Sequence, residues 1–320
     1  MRIFVLALNE VFDTGLTTLL DTFGTANDLA ESAGSPSTRF DVTVVGVRSR
    51  VHTSHGLLVP IRLATRLARP DVALVPALGA KIPKTLRVAL ERRDVKDAQA
   101  LLRRWSGSGT LVGAACTGTF VLAGTSLLNG QTGTTSWWLA PFFRERYPHV
   151  VLEDSRMLVS SSRFVTAGAA LAHLDLALWL VRRKSPSLAA LTARYLVGEP
   201  RPSQAAFAIP DHLTRSDPLV ERFERWARHQ LADGFSLSAA ARAVGTSERT
   251  LARRLQSVLG KSPLTYVQDL RVERAVHLLQ TSSASIDQIA TQVGYVDGVT
   301  LRTLIRRKIG RGVRDLRARN

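Results

Sequence analysis

The feature that most constrains this chain is a segment written twice. S-L-S-A-A-A-R-A-V-G runs from Ser236 to Gly245, and S-I-D-Q-I-A-T-Q-V-G runs from Ser285 to Gly294. Both copies open on a serine followed by an aliphatic residue, carry Ala at the sixth place and close on Val-Gly. Their continuations also end alike, at Leu259-Gly260 and Ile309-Gly310.

Each copy reads as two helices joined by a turn. In the first, Leu237, Ala240, Ala241 and Val244 fall at helical spacing on one face. Gly245 suits the stop of that helix, where the chain often needs a positive φ. Ser247 then caps a second helix by accepting a backbone N–H. That helix has an apolar stripe of Leu251, Leu255, Val258 and Leu259. Its other face carries Arg249, Thr250, Arg253, Arg254 and Gln256, side chains that can reach phosphates and base edges. In the second copy Ile286, Ile289, Ala290 and Val293 point inward and Gly294 ends the helix. The helix that follows presents Thr300, Arg302, Thr303, Arg306 and Arg307.

Between the copies lies Lys261–Gln280, with Pro263 in the first turn of a helix. Leu264, Val267, Leu270, Ala275, Leu278 and Leu279 make that helix long and amphipathic. A connector of this kind can hold two recognition helices in successive major grooves, roughly 34 Å apart. One such unit would equally suit a plain helical bundle. Two units with basic outer faces favour a reader of double-stranded DNA.

The charge agrees. The chain of 320 residues has a formal net charge of +17, which suggests a polyanionic partner. Ser216–Asn320 holds 18 Lys/Arg against 10 Asp/Glu, and the longer remainder holds 25 against 16, so the excess is denser in the C-terminal part. A generally arginine-rich proteome accounts for some of the N-terminal excess.

The length allows two domains with real cores. At 45% hydrophobic and 22% charged residues, the composition is that of soluble globular protein. No apolar run is long enough to cross a bilayer, and Asn9 and Glu10 interrupt the N-terminal run too early for a signal peptide. The expected location is cytoplasmic, associated with the nucleoid. A single cysteine excludes an internal disulfide. No Cys/His cluster has zinc spacing and no glycine-rich phosphate loop appears, so no metal or cofactor is expected.

The first part of the chain alternates strands and helices. Apolar runs at Arg2–Leu8, Phe40–Val47, Asp71–Pro76 and Thr110–Ala115 read as buried strands, followed by shorter strands at Val150–Asp154, Met157–Val159 and Arg163–Thr166. Helical spacing predicts helices over Gly15–Glu31, Val95–Trp105, Gly118–Leu128, Trp137–Arg146 and Ala169–Arg183, and His52–Pro60 suits a short hairpin. This pattern implies a mostly parallel sheet covered on both faces. Ligands of such sheets bind beyond the carboxyl ends of the strands. That rule singles out Asn9 and Glu10, Ala77–Gly79, Cys116 and Thr117, and Ala167 and Gly168.

In L-V-G-A-A-C-T-G-T-F-V-L-A, Leu111–Ala123, a strand turns sharply into a helix with Cys116 at the turn. A thiol at a helix N-terminus has reason to be acidic and reactive, and the helix start suits a polar or anionic small molecule. A free cysteine is also commonly a small buried hydrophobe. His173 reads as a packed residue of an apolar helix, while His52 and His55 flank the hairpin.

Two resemblances cover nearly the whole chain. Gly260–Leu279 (G-K-S-P-L-T-Y-V-Q-D-L-R-V-E-R-A-V-H-L-L), followed by Ser285–Tyr295, resembles the AraC-type DNA-binding domain. That likeness covers about the last hundred residues. It departs from the usual pattern in having Ile305 in place of a Phe and Gly310–Arg317, G-R-G-V-R-D-L-R, in place of a Ser-Pro and Tyr-Arg pattern. A-A-C-T-G-T-F-V-L-A, with Thr132–Trp138 and Val165–Leu178, resembles the PfpI/class I glutamine-amidotransferase-like domain, in the form found in GlxA-like regulators of the AraC/XylS family. R-P-S-Q-A-A-F, Arg201–Phe207, resembles the segment between the two domains of such regulators. Hydrolases of the superfamily pair the cysteine with a histidine, often the next residue. Here that residue is Thr117, and Ser136 stands where these regulators often have a histidine.

The resemblance implies a flavodoxin-like, mostly parallel α/β domain at 1–190, a linker at 191–215 and an all-α domain with two helix–turn–helix units at 216–320. It implies a promoter-binding transcriptional regulator and not an enzyme. The first domain would sense a small-molecule effector, form a homodimer, or both, and an activator would touch RNA polymerase. Asn9, Glu10, Asp13, Gly79, Cys116, Thr117, Ser136 and Gly168 are the candidate pocket residues. The alternatives are an amidase or hydrolase using Cys116, and a thiol redox sensor, which would have no second cysteine to resolve it.

Overall fold

A computed structural model describes residues 1–34, 39–198, 203–204, 217–309 and 312–317. The chain divides into two compact units, Met1–Ala208 and Ile209–Asn320.

The first unit begins with β1 (Arg2–Leu6), α1 (Asp13–Ser32), β2 (Asp41–Gly46), β3 (Val51–His52), β4 (Leu58–Val59), β5 (Arg62–Leu63) and β6 (Val72–Val75). It continues with α2 (Pro83–Leu90), α3 (Arg93–Gly107), β7 (Leu111–Ala115), α4 (Gly118–Ala123), β8 (Thr132–Gly133), α5 (Ala140–Arg146) and β9 (Val151–Leu152). β10 (Leu158–Ser161), β11 (Phe164–Ala167), α6 (Ala172–Lys184) and α7 (Pro186–Tyr195) complete it.

The central sheet has the order β10-β11-β7-β6-β1-β2-β5. Its pairs are parallel except β10 against β11. The continuous apolar character of β1 follows from burial on both faces. Phe4 and Leu6 pack on the side of α2, α3 and α4, while Ile3 and Val5 pack on the side of α1, α6 and α7. β3 and β4 form the expected hairpin.

Three expectations need adjustment. The helix after the cysteine stops at Ala123 rather than Leu128, because Gly124 ends it and Ser126 turns the chain at a φ of 64°. The helix expected over Trp137–Arg146 is divided, with a 3₁₀ turn at Trp137–Leu139 before α5. The pattern reading passed over α2 and α7. Each carries Pro in its first turn, and Ser185 caps α7 by accepting from the Leu188 N–H.

The second unit is helical: α8 (Pro218–His229), α9 (Leu237–Ala243), α10 (Glu248–Leu259), α11 (Pro263–Thr281), α12 (Ile286–Gln292), α13 (Gly298–Ile309) and α14 (Val313–Arg317). It has two cores. Val220, Phe223, Ala241, Leu251 and Leu255 form the first, closed by Tyr266, Val267 and Leu270 from the front half of α11. Ile289, Val293, Leu301, Ile305 and Leu316 form the second, closed by Val272, Ala275 and Leu279 from the back half of the same helix. α11 is therefore the wall shared by both helix–turn–helix units. Leu264, expected inward, is 51% exposed, since it lies ahead of the stretch that either core covers. Ile305 is fully buried, so it fills the place of the usual Phe in packing.

Candidate functional sites

The two recognition helices are held by parallel devices. Gly245 and Gly294 sit at φ values of 70° and 82°, which end α9 and α12 in the left-handed conformation glycine tolerates. Gly294 is also hemmed in, because a Cβ there would lie 2.2 Å from the Leu231 carbonyl oxygen. Ser247 accepts from the Thr250 N–H at 3.2 Å and caps α10. At α13 the Asp297 carboxylate accepts from the Thr300 N–H at 2.7 Å, and Asp287 accepts from the Gly298 N–H at 2.9 Å. Hydrogen bonding from the Thr300 backbone holds the Asp297 carboxyl below its ordinary range.

Both helices keep a polar face in solvent. Arg249, Arg253, Arg254 and Gln256 are exposed on α10, and Thr300, Arg302, Thr303, Arg306 and Arg307 on α13. The side chains are not equally committed. Arg254 is tied to Asp217, the cap of α8, at 2.6 Å. Thr250 and Thr300 are engaged by the caps, and Thr303 Oγ1 donates to the Val299 carbonyl at 3.0 Å. Arg249, Arg253, Arg302 and Arg306 have no hydrogen-bonding or ion-pairing partner for their guanidinium groups among the described residues. The two units are joined by charge as well as by α11. Asp269 meets Lys261 at 2.8 Å and also meets Lys308 on α13.

The first unit presents the opposite case at its cysteine. β7 ends in Cys116, whose φ of 54° is unusual for a residue with a side chain. The Cys116 N–H donates to the Ala167 carbonyl at 2.8 Å, and the Thr135 hydroxyl donates to the Cys116 carbonyl at 2.8 Å, so the turn is pinned from both sides. Gly118 follows because α4 starts against β6, where a Cβ would lie 2.3 Å from the Val75 carbonyl oxygen. Cys116 Sγ is buried 2.7 Å from Ser136 Oγ. Thr117 Oγ1 donates to the Leu78 carbonyl at 2.8 Å.

Burial pushes the Cys116 thiol up, and its contacts with Ser136 and Thr117 and the field of Lys81 do not reverse that. Among the described residues no histidine is hydrogen-bonded to it. His173 is instead fully buried. Its Nε2 accepts from the Ala77 N–H at 3.1 Å and its Nδ1 donates to the Ala170 carbonyl at 2.8 Å. Burial lowers its pKa to about 4, so it is neutral and structural near pH 7.

The eight candidate pocket residues fall into two groups. Cys116, Thr117, Ser136 and Gly168 come together around the turn, with Ser136 Oγ also 3.4 Å from the Gly168 carbonyl oxygen. Asn9, Glu10, Asp13 and Gly79 tie the loop after β1 to neighbouring loops. The Asn9 side chain accepts from the His52 N–H at 3.2 Å, Glu10 pairs with Arg92 at 2.6 Å, and the Gly79 N–H donates to the Glu10 carbonyl at 2.7 Å. Asp13 accepts from Ser54 at 2.7 Å and from His55 at 2.8 Å. Partial burial opposes its ionisation, but hydrogen bonds from Thr53, Ser54 and His55 hold its carboxyl far below the usual range.

One site residue was missed by pattern. Gln204 is fully buried beside Ser136 and Gly168. The only signal for it was the likeness of Arg201–Phe207 to a segment between domains. Arg201, Pro202 and the residues from Ala205 to Phe207 lie outside the described residues.

Comparison with known proteins agrees with both halves. Residues 1–183 match the DJ-1/PfpI family, and residues 240–319 match a helix-turn-helix domain. The HTH-type transcriptional regulator GbdR of Pseudomonas aeruginosa is 27% identical over 213 residues, which is 65% of this chain and 58% of that protein. The HTH-type transcriptional regulator GlxA of Rhizobium meliloti is 29% identical over 207 residues, 63% of each chain. The match thus spans less than two thirds of the length of these curated relatives. The crystal structure of an AraC family transcriptional regulator from Pseudomonas putida covers 61% of this chain and 98% of its own, with a TM-score of 0.51 at 20% identity, a likeness of fold.

Proposed function

The chain belongs to the DJ-1/PfpI family and carries an AraC-type helix-turn-helix region, and from that premise we propose that it is a sequence-specific DNA-binding transcriptional regulator. One observation carries this reading above the rest. Two separately cored helix–turn–helix units share α11, and each exposes a recognition helix with guanidinium groups left without partners among the described residues. Such groups can bond bidentately to guanine edges or to phosphates. Arg249, Arg253, Thr300 and Arg302 are the proposed groove contacts. Phosphate contacts by neighbouring cations would make binding fall steeply with salt. The curated relatives named as regulators support the same conclusion.

The proposed division is a sensor or dimerisation domain at 1–190, a connector at 191–215 and a DNA-binding domain at 216–320. A homodimer, a small-molecule effector and contact with RNA polymerase belong to this proposal. So does a non-enzymatic first domain. It is supported by a thiol that burial keeps protonated and by Ser136 standing beside it in place of a base. Among the described residues no helix is long and apolar enough to cross a membrane, which agrees with a place on the nucleoid.

Selection of bound duplexes from a random pool by the full-length protein tests the proposal. The expected result is a recurring motif in two blocks about one helical turn apart. Recovery of sequences without a motif, with affinity that follows salt alone, would reject it.

A further inference from the structure

Among the described residues between α7 and Asp217, Gln204 is the one whose side chain is fully buried in the first unit. Its backbone is fastened there too. The Gln204 N–H donates to the Ser155 carbonyl at 2.9 Å, and Ser203 Oγ donates to the same carbonyl at 2.7 Å. Its carboxamide is completely matched. Nε2 donates to the Thr135 carbonyl at 2.8 Å and is 3.2 Å from the Arg156 carbonyl and 3.3 Å from Thr134 Oγ1. Oε1 accepts from the Trp137 N–H at 3.3 Å. Gly168 forms the floor, where a Cβ would lie 2.5 Å from Nε2. Thr134 and Thr135 are themselves fully buried.

We infer that this recess is a primary-carboxamide site, filled in the resting protein by the chain's own Gln204, and that a small molecule ending in a primary carboxamide competes for it. The chemistry is selective. Three oxygen acceptors face the nitrogen and one N–H donor faces the oxygen. A carboxylate of the same shape would set its second oxygen against those acceptors with no proton to share, and an aliphatic group would leave buried polar groups unpaired. The recess also lies where ligands of a parallel sheet bind, beside Ser136 and Gly168 past the ends of β7 and β11. The internal ligand is held at an effective concentration on the order of mM, so a natural competitor must bring contacts beyond the amide.

The test uses the full-length protein and two variants. Gln204→Ala removes a CH₂–CONH₂ group, and acetamide restores those atoms. Acetate is the isosteric control without N–H donors. Calorimetric or ligand-observed NMR titration is expected to give a Kd for acetamide at least roughly tenfold lower for Gln204→Ala than for the wild type, with acetate binding neither. Gln204→Glu keeps the bulk while setting a carboxylate against the acceptors, and it too is expected to bind acetamide more tightly than the wild type. The inference is overturned if neither variant gains on the wild type, or if acetate binds as well as acetamide. The readout involves no DNA. Its failure leaves the DNA-binding reading standing, and absence of a DNA motif leaves this site standing.

Discussion

The two units handle polar groups in opposite ways. On α10 and α13 the guanidinium groups of Arg249, Arg253, Arg302 and Arg306 point away from the fold with no partner among the described residues. Around Cys116 the polar groups face inward and answer one another: the thiol with Ser136, Thr135 with the Cys116 carbonyl, Gln204 with four groups, His173 with Ala77 and Ala170. An arrangement open to solvent is suited to a large charged partner met from outside. An arrangement already satisfied is suited to structure, or to a ligand that must displace what is there.

The contrast has measurable consequences. The largest is expected on the open side. Arg253→Ala combined with Arg302→Ala should cost each reader a base contact of about 1–3 kcal/mol, so that specific affinity drops by roughly 30-fold to 2 × 10⁴-fold in gel-shift titrations while the melting temperature stays near that of the wild type. An affinity loss below threefold would move the contacts to other residues.

The next effect belongs to the closed side. His173 has an ordinary pKa of 6.5 and a folded value of about 4. Between those values the unfolded chain takes up a proton that the folded unit refuses, so stability is present above pH 6.5 and is lost as pH falls towards 4. The loss amounts to about 3 kcal/mol at most. Urea unfolding of the full chain at steps of pH checks this, and His173→Asn should flatten that part of the profile.

A smaller effect separates the two readers. Ser285 caps α12 reciprocally with Gln288, the Ser285 N–H donating to Gln288 Oε1 at 2.8 Å and Ser285 Oγ accepting from the Gln288 N–H at 3.2 Å. Ser236, its counterpart in the first copy, accepts from the Ala239 N–H at the start of α9 without a reciprocal cap. Either serine changed to Ala should cost about 1 kcal/mol in chemical unfolding, with Ser285 the more costly.

Much of this was legible in the sequence, for a reason that differs by region. The helix–turn–helix units were readable because their information is local: stripes at helical spacing, a capping serine, and Gly245 and Gly294 where a positive φ is needed. The strands were readable because both faces of the sheet are covered, so β6, β7 and β1 beyond Arg2 are apolar. α2 escaped because it is short and mostly exposed, leaving Pro83 as its main mark. The Gln204 recess was beyond pattern reading. Its walls come from residues 134–137, 155–156 and 168, and nothing in any one of these segments announces the others. The Cys116–Ser136 contact was beyond it too, since the two residues are distant in sequence and close in space.

In the proposed regulator two readers share one helix, each serving its own part of the operator. The direct test takes a duplex recovered by selection, alters it in one block at a time and titrates it with the wild type, Arg253→Ala and Arg302→Ala. The expected result is a crossed pattern. Arg253→Ala becomes indifferent to changes in one block and Arg302→Ala to changes in the other, while each keeps full discrimination at the block its remaining arginine reads. If both variants lose affinity equally for every duplex, and the wild type discriminates neither block, the exposed arginines are only phosphate contacts and the two-reader account is wrong.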